Sequence, residues 1–127
     1  MKKDNFSFIN FLIPLIIPEV EIEMSISFAD LLEGMDQNGK TKLMRILKRM
    51  EPFGPANNKP IFLTENVMNS SSRLIGSDNN HIKFDVFQEG DYSNRVNGIG
   101  FFMGNDTMKA IENGPFKLVY TIEENNW

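Results

Sequence analysis

Cysteine is absent from the 127 residues, and histidine occurs once, at His81. The first absence excludes a disulfide framework and any thiolate metal site, and it fits a reducing compartment. The second excludes a multi-histidine metal centre. Positive charge is not in excess either: the net charge is -4. From Pro52 onward there are six Lys/Arg against nine Asp/Glu. Composition therefore argues against a generally basic nucleic-acid binder. A local basic groove in an acidic domain can still hold a phosphate backbone, weakly and with strong salt dependence. A bilayer-spanning run is also lacking. The apolar stretch Phe6–Ile17 is broken by Pro14 and Asn10, followed by Pro18, and too short to cross a membrane. No small-residue cleavage site follows it, so it does not read as a signal peptide. It reads as an element that packs against something, in a chain expected to be cytoplasmic. What is present is bulky apolar mass, with eleven Phe and eight Met, enough for the core of one ordinary domain.

The pattern along the chain changes character once. Glu19–Ser27 alternates, with Val20, Ile22, Met24 and Ile26 on one side and Glu19, Glu21, Glu23 and Ser25 on the other, which predicts a half-buried strand. Phe28–Gly34 predicts a short helical turn, and Asp36–Gly39 a loop. Thr41–Met50 predicts a helix with an apolar stripe of Leu43, Ile46, Leu47 and Met50. Three prolines and a glycine then fall in Pro52–Pro60, ending the helix and forcing an extended connector. Short strands follow. Ile61–Asn69 is one, continued by Arg73–Gly76 past a bend at Ser70–Ser72. His81–Phe87 puts Ile82, Phe84 and Val86 inward. Arg95–Met103 carries Gly98 and Gly100, which permit tight coiling. Thr107–Asn113 predicts a helix capped by Asp106 and ended by Gly114. Phe116–Ile122 alternates again.

The order strand, strand, strand, helix, strand is that of an oligonucleotide-binding (OB) barrel without its fifth strand. The fold expected is mainly β with short helices. A connecting segment, residues 1–51, precedes an OB domain, residues 52–127, truncated at its C-terminal side. Open barrel edges pair with other chains, which predicts self-association. The alternative is that a segment such as Phe6–Ile17 covers the gap.

Four blocks carry a resemblance beyond periodicity. They are Met50-Glu51-Pro52-Phe53-Gly54-Pro55-Ala56-Asn57-Asn58-Lys59-Pro60-Ile61-Phe62, His81-Ile82-Lys83, Ile99-Gly100-Phe101-Phe102-Met103-Gly104, and Tyr120-Thr121-Ile122-Glu123-Glu124-Asn125-Asn126-Trp127. In this order and spacing they resemble blocks of RecJ single-stranded-DNA exonucleases, the first of them the signature between the catalytic core and the OB domain. The strand at Glu19–Ile26 resembles the segment preceding that junction. Three features depart from the family pattern: Ala56 stands for a glycine, Phe102 for a small residue, and Asp36–Lys40 looks like an insertion. The resemblance implies a parent that hydrolyses single-stranded DNA from 5′ to 3′ in repair and recombination, with manganese or magnesium in a two-metal site. It implies that the catalytic domains of the same polypeptide are partners, and that neither they nor a metal cofactor belong to this fragment. No Asp-His-His motif occurs here, and no catalytic residue is assigned.

OB modules hold single strands with cations along a groove and exposed aromatic faces. On the second and third strands the outward candidates are His81, Lys83, Phe87, Arg95, Asn97 and Phe101. The residues expected to contact nucleic acid are Lys83, Arg95, Arg73, Lys59, Phe101 and Asn97. Two registers are open for the hairpin. In one, Lys83 and Arg95 sit opposite each other, an unfavourable like-charge pair that a phosphate would relieve. In the other, Arg95 faces Asp85 in a cross-strand salt bridge. Lys42, Arg45, Lys48 and Arg49 form a basic helix face, read either as solvated or as a DNA track. Pro52, Phe53, Gly54, Pro55 and Pro60 shape the connector. Phe53 and Phe62 are expected to pack, and Trp127 either stacks on a base or frays. The leading reading is a single-stranded-DNA-binding module, weak on its own. The alternative is a docking module for proteins or domains with no independent DNA binding.

Overall fold

The structure, a computed structural model, describes residues 9–11, 22–101 and 104–123. Its elements in chain order are β1 (Ile9–Phe11), β2 (Met24–Ser25), α1 (Phe28–Leu31), α2 (Lys42–Met50), β3 (Phe62–Ile75), β4 (His81–Gln88), β5 (Asp91–Gly100), α3 (Gly104–Ile111) and β6 (Phe116–Ile122). The fold is mainly β and OB-like. Antiparallel pairing runs β3–β4–β5, and β3 also pairs with β6. Between β5 and β6 lies β1, parallel to the first and antiparallel to the second. Among the described residues only these three β1 residues bridge that gap. The strand thus comes from within the apolar run Phe6–Ile17, which carries no alternation that marks a strand.

Alternation makes the core. Ile82, Phe84 and Val86 of β4 are buried, as are Val96 of β5 and Leu118, Tyr120 and Ile122 of β6. Phe28 and Leu31 of α1 join the same cluster, and Leu43, Met44 and Leu47 of α2 pack against it. Phe62 is 3% exposed and stacks with Tyr120, ring centroids 6.1 Å apart. The Tyr120 hydroxyl and Thr64 Oγ1 are 2.8 Å apart, and Thr64 donates to the Ile26 carbonyl at 2.7 Å. Burial pushes the Tyr120 phenol up to about 12.

Local chemistry fixes the joints. Thr41 caps α2 by accepting from the Met44 amide at 3.2 Å, and Ser27 caps α1 from Asp30 at 3.0 Å. In the Asp36–Lys40 loop, Asp36 Oδ1 accepts from the amides of Asn38 and Lys40. The Lys40 amide, before any other group, holds that carboxyl below its ordinary value. Gly76, at φ +92°, begins the β3–β4 turn, where an added Cβ would lie 2.9 Å from His81 Cδ2.

Four expectations are corrected. Glu19–Ser27 is a strand only at Met24–Ser25 among the described residues. Ile22 and Met24 are exposed there, because β2 is an edge strand beside β3 and, among the described residues, nothing covers that face. On α2 the inward stripe is Leu43, Met44 and Leu47, and Ile46 and Met50 are exposed. β5 starts at Asp91 rather than Arg95, because the β4–β5 turn is tight at Glu89–Gly90. α3 starts at Gly104, so Asp106 lies in its first turn rather than at its cap. Trp127, Glu124 and Phe102 lie outside the described residues. No helix among the described residues is long and apolar enough to cross a membrane.

Candidate nucleic-acid interface

The outward face of β3–β4–β5 gathers most of the residues expected to bind. Its register follows from two irregularities, one between Asn69 and Ser71 in β3 and one between Val86 and Gln88 in β4. Arg73 is directly opposite Lys83, and both are exposed. Lys83 faces Ile99 on its other side, and Asp85 faces Asn97. Neither of the two expected hairpin registers holds, and both are corrected. Lys83 and Arg95 are not opposite each other; the like-charge pair is Arg73 with Lys83, across the other hairpin. Arg95 nevertheless reaches Asp85 diagonally, Nη1 to Oδ2 at 3.5 Å, and donates to Ser70 Oγ at 2.6 Å. The guanidinium carbon also lies 5.4 Å from the Phe87 ring centroid.

Arg73, Lys83, Asp85 and Asn97 line one shallow groove with Ser71 and Ser72. Aromatic pairs flank it. At one end His81 and Phe101 meet edge-to-face with centroids 5.4 Å apart, and Phe101 is 43% exposed. At the other end Phe87 and Tyr92 meet at 4.9 Å, and Tyr92 is 65% exposed. Sequence reading did not single out Tyr92. It stands one residue into β5 after the turn, where the alternation had not been extended.

The groove's electrostatics are mixed. Neither Arg73 nor Lys83 has an ion-pair partner among the described residues. Like charges held directly opposite each other across a hairpin are destabilising. Asp85 opposes them: burial pushes its carboxyl above the ordinary value, and Arg95 pulls it partly back. One oxygen each of Asp85 and Asn69 is buried with no hydrogen-bond donor among the described residues.

Lys59 is not on this face. It pairs with Glu123 in a separate groove formed with Met44, Leu47, Phe53 and Pro60. The connector around it is held by Asn57, another residue the sequence reading passed over. Its amide nitrogen Nδ2 donates to the carbonyls of Met50 and Pro52 at 2.7 and 3.0 Å, and its backbone pairs with Gly54. Pro55 is exposed, and the Glu51–Pro52 bond is cis. Of the α2 cations, Arg45 ties down the preceding loop through the carbonyls of Lys40 and Gly34 and through Asp36. Lys48 pairs with Glu51 at 3.4 Å. Gln88 was also missed: it accepts from the Phe28 amide and donates to the Glu65 carbonyl, clamping α1 to the barrel.

Among the described residues no three His, Cys, Asp or Glu side chains come together as metal ligands.

Fold and face together define an OB-like module with a cationic strip between exposed aromatics. The family model described as the RecJ OB domain matches residues 33–127, and the chain belongs to that family. No curated protein and no solved structure matches it.

Proposed function

We propose that the chain is the single-stranded-DNA-binding OB module of a RecJ-like 5′-to-3′ exonuclease of repair and recombination, working in the cytoplasm. On this reading it holds the strand that a metal-dependent active site, built from other residues, then cleaves. Arg73 opposed to Lys83 on an exposed face is the observation that carries the reading. A phosphate seated between them turns a repulsion into two charge-assisted contacts. Phe101 and Tyr92 offer sequence-tolerant stacking surfaces on either side, which suits a module that must pass any strand. Asn97 adds a neutral donor in the same groove. The net charge of -4 opposes long-range attraction, so binding is weak and short-ranged.

Fluorescence anisotropy with a labelled oligothymidylate tests this. Affinity should fall as salt rises, with a log–log slope of about -0.7 per phosphate neutralised. Replacing both Arg73 and Lys83 by Ala should weaken binding at least tenfold and flatten the slope by about 0.7, one phosphate being seated between them. Lys59→Ala should change neither. A folded chain that does not bind at low salt favours the docking reading instead, in which the exposed Ile22, Met24, Ile46 and Met50 meet another domain.

A further inference from the structure

One strand of the barrel does not follow its neighbours in the chain. β3, β4 and β5 are joined by turns, and β5 reaches β6 through α3. β1 instead comes from the N-terminal side, with twelve residues between it and β2. Asn10 lies opposite Ile99 of β5, while Ile9, Asn10 and Phe11 lie opposite Ile122, Thr121 and Tyr120 of β6. Two sheet edges thus face each other with room for one strand, which places them about 10 Å apart. Edges of this kind are templates for strand addition. The recognising groups are backbone N–H and C=O, so an occupant must be extended and free of proline where it pairs. Residues Phe6–Ile13 meet that demand, containing no proline and no charge.

We infer that the gap between β5 and β6 is a binding site for an extended, uncharged polypeptide strand, and that its occupant is this chain's own stretch around Ile9–Phe11, acting in cis as the fifth barrel strand. The segment is joined to β2 by twelve residues of chain. It is a ligand held at high effective concentration by its linker, and the site accepts the same segment supplied in trans. The inference does not depend on nucleic-acid binding, because it uses the edges of β5 and β6 rather than the β3–β4–β5 face.

The absence of cysteine makes disulfide trapping clean. Directly opposed Cα atoms in an antiparallel pair lie about 4.5–5.5 Å apart, within disulfide range. In the full chain, Asn10→Cys with Thr121→Cys should oxidise to a monomeric, internally bridged species, while Asn10→Cys with Lys117→Cys, out of register, should not. A fluorescein-labelled peptide of residues 2–13 should then bind the full chain carrying Asn10→Pro at least tenfold more tightly than the disulfide-locked chain. Trapping only as covalent dimers would assign the site to a second copy and overturn the cis assignment. Equal peptide binding to the open and locked chains would overturn the site itself. So would failure of the in-register pair to bridge in a chain folded by circular dichroism.

Discussion

Asp85 sets the balance of charge on the β4 face. Its carboxyl is pushed upward by burial more than Arg95 pulls it down. A raised folded-state value means that the folded chain holds this proton more tightly than the unfolded one. The associated stability is full below the ordinary value of 3.8 and is lost as pH rises through the folded value. At neutral pH the ionised side chain therefore costs stability. Asp85→Asn should melt higher than the parent chain at neutral pH, with the gap closing below pH 3.8 in paired thermal melts. Asp36 and Asp91 have lowered values and act in the opposite sense, but they cancel in the difference between the two proteins. The same substitution removes a negative charge from the groove of Arg73 and Lys83 and frees Arg95, so it should tighten oligonucleotide binding severalfold by anisotropy. Which cations belong together was not legible in the sequence. Lys83 and Asn97 were identifiable as outward residues from alternation alone. Their partners depend on a bulge at Asn69–Ser71 and an irregularity at Val86–Gln88, and periodicity carries no signal of either.

Elements with a repeating pattern and a cap were easiest to read. α2 was visible from Thr41, its periodicity and Pro52, and it lies at Lys42–Met50 with Thr41 as N-cap. Thr41 is fully buried, so Thr41→Ala should cost about 1–2 kcal/mol, read as a lower midpoint in urea with an unchanged slope. The face that α2 buries was not legible. Leu43, Met44, Ile46, Leu47 and Met50 are apolar over more than one stripe, and only packing against the core cluster selects three of them. The four strands after Pro60 were legible from apolar and aromatic runs set between turns, with clear alternation in β4 and β6. β1 was not, because Phe6–Ile17 is apolar on both sides, and a run of that kind does not state its period.

At the scale of the whole molecule, an acidic chain carries a small cationic strip on a barrel that its N-terminal segment helps to complete. The OB-like order was readable from the succession of turns and strands, and family membership agrees with it. The proposed function rests on something more local, a face where Arg73, Lys83 and Asn97 converge between Phe101 and Tyr92. The measurement that tests this most directly is a nitrogen-15 NMR titration of the chain with a short oligothymidylate at low salt. The account predicts shifts concentrated at Arg73, Lys83, Asn97 and Phe101, reversed by added salt, with little change at Lys59 or along α2. Shifts confined to α2 and the connector, or none in a well-folded chain, would contradict it.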